Sequence, residues 1–386
     1  MKRKICVVVT ARPSYSRIRT ALHAIEADPN LELQLVAAAS TLLDQYGNAV
    51  RYMEQDGFEI SSRVFMVVEG ENLTTMAKTT GLGLLELATT FDNLKPDMVV
   101  TIADRYETIA TAIAASYMNI PLVHIQGGEI TGTIDEKVRH AVTKLADIHL
   151  VSTQKAAENV IRMGERPDAV FITGCPSIDL AANVLKNPSI DFDPFEKYKG
   201  VGATFDVKNK DYLVVMQHPV TTEYERARAQ ILETLYAVKE IGLPTFWFWP
   251  NVDAGSDGTS KGIRMFRENE RPENIHFFKN MDSQDFLRLV YNSRCIVGNS
   301  SVGIRETSFL GVPSVNIGTR EAGRERGGNV LDVDYDRVQI REAIRKQVSN
   351  GRYPSDPLYG KGDAGQQIAK ILAEVPLRSE KRLAYS

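Results

Sequence analysis

Short apolar runs rich in Val, Ile and Phe alternate along this chain with longer segments of helical period, the pattern of parallel strands covered by helices on both faces. In the first half the runs are KICVVVT (4–10), LELQLVAAAS (31–40), MVVTIAD (98–104), PLVHIQG (121–127), IHLVST (148–153) and AVFITG (169–174). They predict six strands in one doubly wound sheet. In the second half DYLVVMQ (211–217), TFWFWP (245–250), IHFFKN (275–280), CIVGNS (295–300) and SVNIG (314–318) predict a second sheet. Residues 187–209 are dense in Pro, Gly, Asp and Lys without steady period, and read as the linker between a domain at 1–186 and another at 210–363. A last helix over 364–375 leads into a charged tail, expected to fray or to pack back on the first domain. The class is α/β, and tandem open sheets of this kind take ligands in an interdomain cleft at the carboxyl ends of their strands.

Composition narrows what such a site holds. The 386 residues carry 46 Lys+Arg against 49 Asp+Glu, a formal net charge of -3, so no global basic field attracts nucleic acid or an anionic membrane. An anionic ligand must be caught locally. No apolar span reaches the 18 residues of a membrane helix, and the start, MKRKICVVVTARPSYS, turns polar too soon for a signal peptide, so a cytoplasmic protein is expected. Cys6, Cys175 and Cys295 have no CxxC spacing and read as buried thiols rather than metal ligands.

The strand ends carry the candidate chemistry. After the first strand, TARPSYS places Arg12, Ser14 and Ser16 where a dinucleotide fold would carry GxGxxG; without those glycines a nicotinamide cofactor is disfavoured, and Arg12 is either a fork for a phosphate or a plain turn residue. The 98–104 strand ends at Asp104-Arg105, with Asp104 also readable as a helix cap. The 121–127 strand runs into Gly127-Gly128-Glu129, and Asp135 and Arg139 follow four apart, as a surface ion pair or as site groups. Together these ends gather carboxylates and guanidinia. In the second half His218 follows a strand and precedes Pro219, exposed and placed to titrate or to meet a phosphate. Asn251 and Asp253 stand at another strand end. GNSSVGIRETSFLGVPSVNIGTR (298–320) puts Ser300 and Ser301 before a helix expected near Val302, an anion site for a diphosphate, with Glu306 on the helix and Arg320 after the next strand. GxxxxGK[ST] does not occur.

Taken in order, YGNAVRYMEQDGFEI (46–60), ADRYET, HIQGGEITGTIDEKVRHAVTKLA, GCPSID, QHPVTT, PNVDAGS, GNSSVGIRE and GTREAGRERGGNV resemble the hydrolysing UDP-N-acetylglucosamine 2-epimerases over nearly the whole chain. The resemblance implies two Rossmann-like domains in the glycosyltransferase-B arrangement, with UDP held mainly by the C-terminal one, and assembly as a homodimer or homotetramer. It implies UDP contacts from Arg12, Ser16, Arg105, His218, Asn251, Ser300, Ser301, Glu306 and Arg320, and sugar contacts from Asp104, Asp135, Arg139 and His218. One departure stands out: HIQGGE has Gln126 where animal members have a carboxylate, and an amide cannot take a proton at neutral pH. Either Glu129 or Asp135 then transfers the proton, or the sugar is a 2,4-diacetamido-2,4,6-trideoxyglucose, since related enzymes vary here.

The implied chemistry needs no nicotinamide and no metal. Breaking the bond from C1 to UDP gives C1 oxocarbenium character, which acidifies the hydrogen on C2 and allows a 2-acetamidoglycal, so the phosphate site is itself catalytic. Rivals on the same scaffold are a glycosyltransferase, a non-hydrolysing 2-epimerase, whose HRREN-like pattern QHPVTT departs from, and a sensor without turnover, for which the acids would be superfluous.

Overall fold

The computed structural model describes residues 2–44, 48–70, 73–103, 105–131, 135–209, 211–250 and 255–384. The chain divides into two compact units, one of Met1–Glu129, Ile134–Asp179 and Gly360–Ser386, the other of Ile130–Thr133 and Leu180–Tyr359.

The first unit is built on seven parallel strands: β1 (Arg3–Val9), β2 (Leu31–Ala38), β3 (Ile60–Val64), β4 (Met98–Ile102), β5 (Leu122–Ile125), β6 (Ile148–Val151) and β7 (Val170–Ile172). Their spatial order is β3-β2-β1-β4-β5-β6-β7, so the winding reverses between β1 and β4. Six strands were expected; the seventh is β3, whose sequence ISSRV is too polar to stand out and which forms an edge. Successive residues of β1 point into opposite layers. Ile5, Val7 and Val9 enter one core with Ile18, Leu22 and Ile25 of the Arg12–Ala27 helix, while Cys6 and Val8 enter the other with Leu87 and Phe91. Both faces are covered, which is why the strand reads as an unbroken apolar run.

The second unit repeats the plan with β8 (Val201–Gly202), β9 (Leu213–Met216), β10 (Thr245–Phe248), β11 (Ile275–Phe278), β12 (Cys295–Gly298), β13 (Ser314–Ile317) and β14 (Val330–Val333). The order is β14-β13-β12-β9-β10-β11-β8, with β8 alone antiparallel, and the winding reverses between β9 and β12. The segment read as a linker holds the Pro194–Tyr198 helix and β8, and Phe195 packs against Phe205, Phe246 and Phe278.

The C-terminal helix, Ala364–Glu374, lies in the first unit. Asp179 accepts the backbone N–H groups of Ala364 and Gly365 at 2.9 and 2.8 Å, and Gly365 sits so close to the Thr20 backbone that a Cβ there would come within 2.7 Å of it. Of the two expectations for the tail beyond it, fraying or packing back on the first domain, the contacts are those of the second. Ala384 donates to the Gly164 carbonyl, and Lys381 reaches Glu165 at 2.6 Å, a carboxylate already bonded to Lys144 and His149. Burial alone would raise the Glu165 pKa, but these three donors outweigh it and hold it down to about 2. Periodicity carries no trace of such a bond, because it depends on a partner over 200 residues away. The three thiols are buried as expected, and burial pushes Cys6 up to about 12.

Candidate active site

In the second unit the reversal between β9 and β12 brings His218 and Ser300 to one place, since Gly298 pairs in register with Met216. Gly298 has φ +135°, and a Cβ on it would lie 2.1 Å from the Met216 carbonyl oxygen, so only glycine permits this approach. Asn299, fully buried, then clamps the peptide of His218: its Oδ1 accepts the His218 N–H at 2.7 Å and its Nδ2 donates to the His218 carbonyl at 2.8 Å. His218 is itself buried rather than exposed, because this clamp draws it under the turn.

Ser300 opens a 3-10 turn, Ser301–Gly303, and its hydroxyl makes no capping bond to it. The α-helix begins only at Arg305 and ends at Leu310. The helix expected near Val302 is a turn followed by six helical residues from Arg305, so its dipole is weak and the hydroxyls and nearby guanidinium carry more of any anion attraction. Glu306, in the first turn, is buried with Oε2 lacking any hydrogen-bond partner. Arg320 reaches this loop: its Nη1 donates to the Asn299 carbonyl at 3.1 Å and to Glu321 Oε1 at 2.8 Å, while Arg324 closes on Glu321 from the other side at 2.7 Å. Asn251 and Asp253 lie outside the described residues.

In the first unit Arg12 is the first residue of its helix, with Pro13 next and no side chain capping the N-terminus. Its guanidinium stacks over the Tyr52 ring at 4.6 Å. Ser16 lies one turn on, half-buried. Asp104 lies outside the described residues; the helix it was read as capping starts later, at Thr108, with Glu107 in the cap position. Arg105 Nε pairs with Glu107 Oε1 at 2.8 Å, and Glu107 is buried with Oε2 unpartnered.

Gln126 ends β5 in a left-handed conformation, φ 66°, at 1% exposure. Its Nε2 donates to Cys175 Sγ at 2.8 Å, and its Oε1 is buried without a partner. Gly128, with φ +77°, approaches Ala156 too closely for any Cβ. Glu129 follows, buried, its carbonyl accepting from Arg139 Nη1 at 2.9 Å. Arg139 is itself buried and meets Glu136 at 3.0 Å, whose other oxygen bonds His140 at 2.8 Å. Asp135 is the first residue of that helix, half-buried on the same side as Arg139.

In the second unit Asn299 thus links His218 to Arg320, and in the first Arg139 is linked to the Glu129 carbonyl. Sequence reasoning missed Glu107, Glu136, Asn299 and Glu321, all of which hold a candidate arginine or histidine in place. The signal was present for Asn299 and Glu107, polar residues inside the GNSS and ADRYET segments, but their partners are set by three-dimensional neighbours. Among the described residues no group of three or more His, Cys, Asp or Glu side chains is close enough to hold a metal ion, and no helix is long and apolar enough to cross a membrane.

A sequence model of the family described as UDP-N-acetylglucosamine 2-epimerase matches residues 23–373. A Legionella pneumophila protein named UDP-N,N'-diacetylbacillosamine 2-epimerase (hydrolyzing) is 31% identical over 380 residues, covering 98% of each chain. A Neisseria meningitidis UDP-N-acetylglucosamine 2-epimerase is 29% identical, covering 94% of this chain and 92% of its own. The crystal structure of a UDP-GlcNAc 2-epimerase from Neisseria meningitidis bound to UDP-GlcNAc matches with a TM-score of 0.79 at 19% identity, over 96% of this chain and 99% of that one, a likeness of fold.

Proposed function

This chain belongs to the UDP-N-acetylglucosamine 2-epimerase family, and on that premise we propose that it is a hydrolysing 2-epimerase, converting UDP-N-acetylglucosamine and water to N-acetylmannosamine and UDP as the first step of sialic acid synthesis. The observation that carries the reading is the turn at Gly298–Ser301, where an Asn299 clamp, the Ser300 hydroxyl and Arg320 surround a strand end at the reversal of the sheet. Such a turn suits a diphosphate leaving group.

In the proposed reaction the bond from C1 to the phosphate oxygen breaks and its electron pair leaves with UDP. A carboxylate takes the C2 proton, and that bonding pair becomes the double bond of the glycal. Water then supplies hydroxide to C1 and a proton reaches C2 from the opposite face, inverting it. Gln126 cannot serve as the base, because its amide has no basic site near neutral pH and its nitrogen is bound to Cys175. Asp104, Glu129 and Asp135 remain for proton transfer and for stabilising the cation, with Arg139, His218, Arg12, Ser16 and Arg105 orienting the substrate. We place the enzyme in the cytoplasm, as a homodimer or homotetramer, which light scattering would test.

A second reading, a diacetamido-trideoxyglucose nucleotide as substrate, is favoured by the name of the Legionella relative and by Gln126. Product NMR in deuterated water, with no acceptor added, tests both: the free sugar should carry deuterium at C2. An unlabelled sugar would sink the elimination, and UDP release only with an acceptor would favour a transferase. Glu129→Gln and Asp135→Asn should each be compared; the variant that loses about 100-fold or more in turnover and in label identifies the base.

A further inference from the structure

We infer that His124 is a positioning residue that fixes the turn after β4, and that it does so as a neutral imidazole of one set tautomer; this rests on the 2-epimerase reading, which makes that turn functional. His124 lies on β5 beside Thr101 of β4 and is fully buried. Its Nε2 lies 2.9 Å from the Ala103 carbonyl oxygen and its Nδ1 3.1 Å from Thr143 Oγ1. A carbonyl oxygen only accepts, so Nε2 bears the hydrogen, and Nδ1 accepts the hydroxyl hydrogen of Thr143.

The group held in this way is strained. Ala103 has φ 63°, a left-handed conformation unfavourable for a residue with a Cβ, and Arg105 and Glu107 follow within four residues. An imposed conformation of this kind persists only where its surroundings over-determine it. The ring supplies one such constraint, and the Ala103 N–H, donated to the Ile125 carbonyl at 2.9 Å, supplies the other.

The same ring ties the turn to the second acidic segment. Thr143 is on the Asp135–Leu145 helix one turn beyond Arg139, which holds the Glu129 carbonyl, so one helix face anchors both segments. Gly127 makes room for this: a Cβ there would lie 2.9 Å from both His124 Nδ1 and Thr143 Oγ1. Desolvation also lowers the His124 pKa to about 4, so the ring stays neutral across the physiological range.

His124→Phe removes both bonds at similar volume, whereas His124→Gln can still donate an amide N–H toward Ala103. With the wild-type enzyme first shown to release UDP and label C2, His124→Phe should lower kcat about 100-fold with KM and UDP affinity within about threefold, and His124→Gln should recover at least about tenfold of the loss. A His124→Phe enzyme with kcat within threefold of wild type would overturn the inference. So would a His124→Gln enzyme that falls as far as His124→Phe while Tm falls in step, the pattern of a packing residue. If wild-type protein releases no UDP, the functional reading fails, and the 15N spectrum still tests the tautomer: an unprotonated Nδ1 and protonated Nε2 at neutral pH are expected, and a protonated Nδ1 refutes the arrangement.

Discussion

At the reversal of the second sheet the chain turns on Gly298, where backbone must pass backbone, and the side chains around it, Asn299 and Arg320, are committed to carbonyls and amides. Along the carboxyl ends of the first sheet the turns after β2, β4 and β5 are made instead by Ala39, Ala103 and Gln126, three residues with a Cβ held left-handed. One region spends its geometry on the close approach of backbone and on an amide clamp, with the Glu306 carboxylate buried beside it. The other keeps strained backbone next to buried carboxylates, Glu107 and Glu129. Under the proposed function, the second unit would grip a charged group that does not change shape and the first would handle protons, where side-chain aim matters most.

The largest effect expected from breaking this contrast is at Gly298. Gly298→Ala adds a Cβ 2.1 Å from a carbonyl oxygen at φ +135°, and should cost roughly 4 kcal/mol in urea unfolding along with UDP binding. Near wild-type stability would mean that the glycine reports nothing about the turn.

Acid should act on the first unit through His124. Unfolded histidine takes its proton near 6.5 and the folded ring only near 4, so between these values the unfolded state binds more protons and stability falls as pH falls. Above 6.5 the group contributes no pH dependence. The full penalty is on the order of 3 kcal/mol, from about 2.5 pKa units at about 1.4 kcal/mol each. The titratable neighbours bearing on it are His149, whose own pKa burial lowers, His140 and Glu129. Glu165 adds a loss only at lower pH, toward 2. His124→Gln should flatten the slope between pH 6.5 and 4, and an unchanged slope would place the acid sensitivity elsewhere.

A smaller effect sharpens the view of the second unit. Asn299→Ala removes both side-chain bonds to the buried His218 peptide, at about 2 kcal/mol in stability, with UDP affinity falling by about tenfold in calorimetry. Unchanged UDP affinity would show that the clamp is structural only.

Much of this was legible in the sequence. The runs KICVVVT and DYLVVMQ announced central strands because both their faces are buried, and the GNSS and HIQGGE segments marked candidate sites because polar groups cluster at strand ends. The polar edge strand β3, the six-residue helix after Ser301, the burial of His218 and the bonds that hold the tail were not legible. Each depends on a partner distant in the chain, such as Asn299 for His218 or Glu165 for Lys381.

The amino-acid order by itself determined the α/β class, the two sheets and the residues available for chemistry, because hydrophobic period and turn chemistry are local properties. Only the tertiary structure decided which strand ends flank each reversal, which backbone is held left-handed, and which guanidinium or imidazole holds which carbonyl. Those outcomes follow from strand order and side-chain packing, and adjacency in space is not encoded by adjacency along the chain.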